Sequence, residues 1–291
     1  MGRGGTDDGT LIFGCGYVGQ RVAERLRNAD PSEAVYTVTR SQQKADRLAR
    51  LGCEPIIADW TDRRSLAGLP NVARVLVAVS YDRRSRLSRD DSQVGGLGNL
   101  LDFVAADCDL IYLSSTGVFH QTDGRWVDEA TPARPRAAGG QAHLRGEELL
   151  WRRRPTAAWV VLRLAGIYGP GRIPRINDVV AERPIDGPNG GFLNLIHLED
   201  AAAAILAAWR QPQRSRLYLV SDDRPVIRRD FYRAIASLVG APSPQFVSQN
   251  RDSLSSRSAS NKRVWNRRLR HQLLPQMTFP DYFRGLTAIL K

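Results

Sequence analysis

Apolar residues fall in short runs that alternate with stretches of helical spacing. Thr10-Leu11-Ile12-Phe13-Gly14 is a compact apolar run ending in glycine, and predicts a strand. From 17 to 28, Val18, Val22, Ala23 and Leu26 recur at helical intervals on one side. The alternation continues with strands at 35–38, 54–58, 74–79, 110–113 and 158–162. Helices are predicted at about 45–51, 94–106 and 141–151. Strands that alternate with helices argue for a parallel sheet covered on both faces. Beyond Leu164 the pattern loosens. Gly169-Pro170, Gly187-Pro188 and Asn189-Gly190-Gly191 mark loops. A helix is predicted at 199–209, with Asp200 in its first turn ahead of an alanine-rich run, and a strand at 217–220. Residues 243–262, rich in Ser, Asn and Gln, read as an irregular connection.

The first strand and helix meet in Gly14-Cys15-Gly16-Tyr17-Val18-Gly19, a Gly-x-Gly-x-x-Gly run. Alone such a run says little. Between a strand end and a helix start it predicts a dinucleotide site on a Rossmann-type, doubly wound α/β sheet. The first glycine makes the tight turn, the second admits the pyrophosphate, and the third lets helix and strand pack closely. Free N–H groups and the positive end of the helix dipole then face the phosphates. The residues after the second strand choose the cofactor. An acid there would accept from a ribose 2′-hydroxyl, but the chain has Val38-Thr39-Arg40-Ser41. Arg40 offers a planar cation to a 2′-phosphate and Ser41 a hydroxyl, so NADP is favoured over NAD. Asp59 after the third strand either accepts from the adenine amino group or caps the short helix that follows. Ser80 and Ser114, beyond and at strand ends, complete the expected cofactor contacts with Tyr17 and Val18.

Composition narrows the picture only slightly. Net charge is +12, carried almost wholly by arginine, since the lysines are Lys44, Lys262 and Lys291. The arginines are scattered and no aromatic–basic RNA motif accompanies them, so they read as solvated surface and a nucleic-acid partner is not expected. Cys15, Cys53 and Cys108 have no metal-ligand spacing and make a poor disulfide framework, so reduced thiols in the cytoplasm and no metal are expected. No run approaches the ~18 apolar residues of a membrane span. Met1-Gly2 formally fits a myristoylation signal, although a Gly-rich leader is the reading preferred.

Further motifs follow in order: Tyr112-Leu113-Ser114-Ser115-Thr116-Gly117-Val118-Phe119, Asp128-Glu129-Ala130-Thr131-Pro132, Leu162 through Gly171, and Ile196-His197-Leu198-Glu199-Asp200. With the glycine motif, they resemble the extended and atypical short-chain dehydrogenase/reductases, the NAD-dependent epimerase/dehydratase group. The resemblance covers roughly residues 10 to 240. It implies a seven-strand Rossmann sheet over 10–165, continued by 192–221. A small C-terminal substrate lobe, 166–291, would interleave with that sheet. In many relatives the substrate is a nucleotide sugar, and many pair as homodimers.

In that family a Ser or Thr after the fifth strand, a Tyr, and a Lys four residues later carry the chemistry. The serine matches Ser115, with Thr116 beside it. The Tyr and Lys positions fall on Gly139 and His143, and no tyrosine of the chain has a lysine four residues on. The family's usual proton relay is therefore missing. One reading is an enzyme with substituted groups, His143 acting as acid or base near neutral pH. Tyr168, Arg163, Tyr81 and His197 then stand in segments that border the ligands in relatives. A second is an NADP(H)-binding sensor without turnover; a third is a nucleic-acid-associated scaffold. Each residue has a plainer role open to it. Ser114 and Ser115 can satisfy a strand end, His143 can be surface, and His197 can hold a structural hydrogen bond. Asp128 and Glu129 can be solvated loop acids.

Overall fold

The computed structural model describes residues 7–211, 216–247 and 260–291. Gly2 therefore lies outside the described residues, as do positions 248–259 of the Ser/Asn/Gln-rich connection. Seven strands form one parallel sheet: β1 (Asp7–Phe13), β2 (Val35–Thr39), β3 (Glu54–Ile57), β4 (Val72–Val77), β5 (Asp109–Ser115), β6 (Trp159–Leu164) and β7 (Leu217–Val220). Their order is β7-β6-β5-β4-β1-β2-β3. Register places Phe13 beside Val38 on one side and Val77 on the other. The order reverses between β1 and β4, the switch point outside whose carboxyl ends such sheets bind ligands.

Four helices belong to the first half: α1 (Tyr17–Ala29), α2 (Gln42–Arg50), α3 (Gly96–Phe103) and α4 (Ala138–Arg153). Helix α1 buries Val18, Val22, Ala23 and Leu26, the stripe its spacing predicts. Helix α3 is shorter than its predicted 94–106, because a π-turn at Asp90–Gly95 precedes it and Val104 leaves in extended conformation. Later come α5 (Leu198–Arg210), α6 (Arg228–Val239) and α7 (Tyr282–Leu290). Neither α6 nor α7 was legible in the apolar pattern. Helix α6 buries Phe231, Tyr232, Ile235 and Ala236 and stops at left-handed Gly240 (φ 69°). Phe246–Val247, inside the expected irregular connection, pairs with Ile185–Asp186.

The chain forms two compact units. Among the described residues, the first comprises 7–114, 141–162, 205–211 and 216–217; the second comprises 115–140, 163–204, 218–247 and 260–291. The first has a core of Leu11, Phe13, Val75, Val77, Leu97, Leu110 and Trp159 among others. The second is built on Tyr168, Leu195, Phe231, Ile235, Tyr282 and Leu286. No described helix is long and apolar enough to cross a membrane.

Candidate functional site

In the first unit the glycine motif has the geometry its spacing demands. Gly14 sits at φ +91°, and a Cβ there would lie 2.6 Å from the Val79 nitrogen. Gly19 approaches β1 so closely that a Cβ would lie 2.8 Å from the Gly14 carbonyl oxygen. Gly16 differs: the nearest protein atom to its Cβ position is the Gly14 oxygen, 4.0 Å away. A side chain there would meet open space. Gly16 is the N-cap of α1 and makes no side-chain hydrogen bond, and no acid stands in the first turn. Val18 is turned into the core. A cradle that a Cβ would fill, at an uncapped helix N-terminus, fits a diphosphate.

One cavity opens at the carboxyl ends of β1 to β4, lined in part by Gly14, Gly16, Arg40, Asp59 and Ser80. Arg40 donates to Asp82 at 2.8 Å and to Asp59 at 3.4 Å. The Arg84 backbone N–H and the Arg40 guanidinium hold the Asp82 carboxyl below its ordinary range. Asp59 Oδ1 accepts from the Thr61 backbone and hydroxyl, while the short helix Arg63–Leu66 is capped by Asp62; capping that helix is therefore not the role of Asp59. Ser41 caps α2, its oxygen accepting from the Lys44 N–H at 3.4 Å, and is not among the residues lining the cavity. Lys44 and Asp82, not singled out in the sequence, do line it. The signal for Lys44 was its place one turn past Arg40, on the same helix start. Cys15 also lines the cavity, but burial pushes its thiol up to about 12, so it stays protonated and unreactive.

Strand β5 and helix α4 meet through polar groups that sequence reasoning treated singly. Buried Ser114 donates to Glu147 Oε1 at 2.6 Å. One turn earlier on α4, His143 Nδ1 lies 3.3 Å from the Tyr112 hydroxyl. The close approach is enforced by Gly146, where a Cβ would come 2.6 Å from that hydroxyl. Burial, then the nearby Glu147 charge, pushes the Tyr112 phenol well up, so it stays neutral. Glu147 went unread because two positions 33 residues apart show no shared local pattern.

In the second unit Ser115 accepts from the Gly117 N–H at 3.0 Å and so caps the short turn Thr116–Val118. Thr116 is buried. Tyr168 is wholly buried, its hydroxyl donating to the Asp281 carbonyl at 3.4 Å and its ring edge-on to His197 at 5.2 Å. Proton exchange with a ligand through Tyr168 would require this core to open. His197 Nδ1 accepts from the Glu199 N–H, and burial lowers its pKa to about 4, so it is neutral at physiological pH. The Arg163 guanidinium lies over the Phe119 ring at 5.1 Å. Of the two loop acids only Asp128 fits a solvated turn. The Glu129 side chain is 6% exposed and accepts from the Leu219 N–H at 3.0 Å, which corrects its reading as solvated: β7 needed an acceptor there.

Asp222 is buried, with Oδ1 accepting from the Arg224 N–H and Oδ2 without a partner. Burial raises its pKa well above the ordinary 3.8, assisted by the charges of Asp223, Asp281 and Asp200. Between 3.8 and the higher folded value the native state binds more protons than the unfolded chain, so this group lowers stability as pH rises through that window. Asp222→Asn keeps the acceptor and cannot ionise. It should melt higher than the wild type at neutral pH, with the gap closing toward pH 4. A gap independent of pH in thermal melts would refute the assignment.

A model of the NAD dependent epimerase/dehydratase family matches residues 10–220. The chain belongs to that family. It is 33% identical over 278 residues to protein YeeZ of Escherichia coli K12, covering 93% of this chain and 96% of YeeZ. Among solved structures, a functionally unknown conserved protein from Silicibacter pomeroyi is 29% identical with a TM-score of 0.78, covering 98% of each chain. UDP-glucuronic acid 4-epimerase from Bacillus cereus, in complex with NAD, superposes at a TM-score of 0.75. It is 15% identical and covers 97% of this chain and 95% of its own, a likeness of fold. Family membership agrees with the glycine cradle at the switch point and with the strand order of the sheet.

Proposed function

We propose that this protein binds NADP(H) in the first unit and acts as a reductase- or epimerase-like enzyme on a small molecule, with groups other than a Tyr–Lys pair. The observation that carries the cofactor choice is Arg40, which lines the cavity beside Lys44 at the end of a strand that lacks the ribose-binding acid. Its side chain is 57% exposed, so a 2′-phosphate can take the place of Asp82 on the guanidinium without opening the core. The NAD held by the Bacillus cereus epimerase supports a nicotinamide cofactor on this fold. When bound, the nicotinamide supplies hydride chemistry. Ser115 is the group proposed to hold a substrate oxygen. His143, on α4 where the family carries its lysine, is the group proposed to exchange the proton. Three buried free thiols suit a reducing compartment, and the cytoplasm is part of the same reading.

Charge-assisted hydrogen bonds contribute about 1.5–3 kcal/mol, so Arg40→Ala should weaken NADPH by roughly 10- to 100-fold and NADH by much less. Fluorescence titration of both nucleotides checks this; a wild type that prefers NADH overturns it. The absence of any Tyr–x–x–x–Lys favours a second reading, a dinucleotide sensor without turnover. Oxidation of NADPH against a panel of nucleotide sugars, ketones and aldehydes separates the two.

A further inference from the structure

Lys262 is an ammonium placed where a protein rarely leaves one. It is 6% exposed, although it stands just before the two-residue strand Arg263–Val264. Its position is closely specified. Asn194 donates to the Lys262 carbonyl at 2.9 Å and accepts from the Val264 N–H at 2.7 Å. On the other side, the Asn261 N–H bonds the Gln121 carbonyl, and Arg263–Val264 pairs in parallel with Trp126–Val127. These bonds lock the backbone and send the side chain back along the segment that follows Ser115. Nζ donates to Ser260 Oγ at 2.7 Å and makes a long contact with the Phe119 carbonyl at 3.5 Å.

Two neutral acceptors, one of them distant, do not balance a buried cation with three N–H donors. No carboxylate among the described residues lies within ion-pair distance of Nζ. Burial brings its pKa down to about 8. The same segment carries two more buried atoms without partners, His120 Nδ1 and Gln121 Oε1. Buried polar groups left open on adjoining residues mark a place built for something polar. The guanidinium of Arg163 stacks on the Phe119 ring, adding a second cation to the same turn.

We propose that Lys262 is the anchor for an anionic oxygen, carboxylate or phosphate, of a small ligand bound by the second unit at the Phe119–Gln121 segment. The ligand oxyanion supplies a counter-charge that none of the described residues provides, and the buried setting makes the pair strong and directional. The proposal concerns the ligand of the second unit and does not depend on which dinucleotide the first unit binds.

The chain has three lysines, which makes the test direct. Protein grown with lysine labelled at ¹³Cε gives one signal from each. One signal should titrate near pH 8, and that signal should be missing from Lys262→Met. Inorganic phosphate and acetate are then added in separate pH titrations. Binding should raise the midpoint of the Lys262 signal by ~1 unit or more, while that of exposed Lys291 stays put. A response to phosphate alone assigns a phosphorylated ligand, a response to acetate alone a carboxylate, and a response to both any oxyanion; each supports the proposal. A Lys262 signal unmoved by both anions overturns it, as does an ordinary midpoint near 10.5 for all three lysines. Should Lys262→Met fail to fold, Lys44→Arg and Lys291→Arg assign the signal by elimination.

Discussion

Placing a methyl group on Gly14 is expected to abolish dinucleotide binding and to lower stability by about 3 kcal/mol. Two effects add. An L side chain at φ +91° is strained, and the new Cβ would stand 2.6–2.7 Å from backbone atoms of Ala78 and Val79, which cannot move without disturbing β4. The turn must therefore open, and the N–H groups at the head of α1 lose their aim. Gly16→Ala is the matching control. Its Cβ meets no protein atom closer than 4.0 Å, so stability should change by roughly 0.5 kcal/mol or less while dinucleotide affinity falls, because the methyl occupies the cradle. Denaturant unfolding and NADPH titration on both variants read the two effects separately. If Gly16→Ala binds NADPH like the wild type, no diphosphate lies over that residue.

Tyr168→Ala is expected to lose about 3–5 kcal/mol, as deletion of a buried aromatic ring does, whereas Tyr168→Phe should lose no more than about 1 kcal/mol. The hydroxyl makes one long bond to the Asp281 carbonyl, and burial pushes its pKa far up. The ring is held between His197 and α7, where Gly285 leaves no room for a Cβ beside the hydroxyl. Any turnover the protein shows should survive in Tyr168→Phe. Loss of turnover in a normally folded Tyr168→Phe would restore this residue to the chemistry.

The glycine turn of the proposed cofactor site was legible because its rules are local. The tight turn, the close approach of helix to strand and the uncapped N-terminus all arise within six residues, and glycine is the one side chain that meets the first two. Arg40, on which the proposed NADP preference rests, stands at the end of a strand close in sequence to the glycine motif. For the proposed chemistry the sequence offered only an absence: no tyrosine of the chain has a lysine four residues on. It does not show which polar groups meet between β5 and α4. Ser114 with Glu147 and Tyr112 with His143 are pairs that only the packing of α4 on β5 creates.

Alternation of apolar runs with helical spacing was enough to determine the parallel sheet, helices α1 to α5 and the glycine turn, since backbone period and glycine sterics act between near neighbours. Tertiary packing decided the rest. Glu129 became a buried acceptor for Leu219, 90 residues on, and Asp200 bonds the Thr278 and Phe279 N–H groups rather than merely opening its helix. Lys262 lost its water to the Phe119 segment 143 residues before it. Burial and charge pairing at such separations depend on which surfaces meet, and neither composition nor periodicity carries that information.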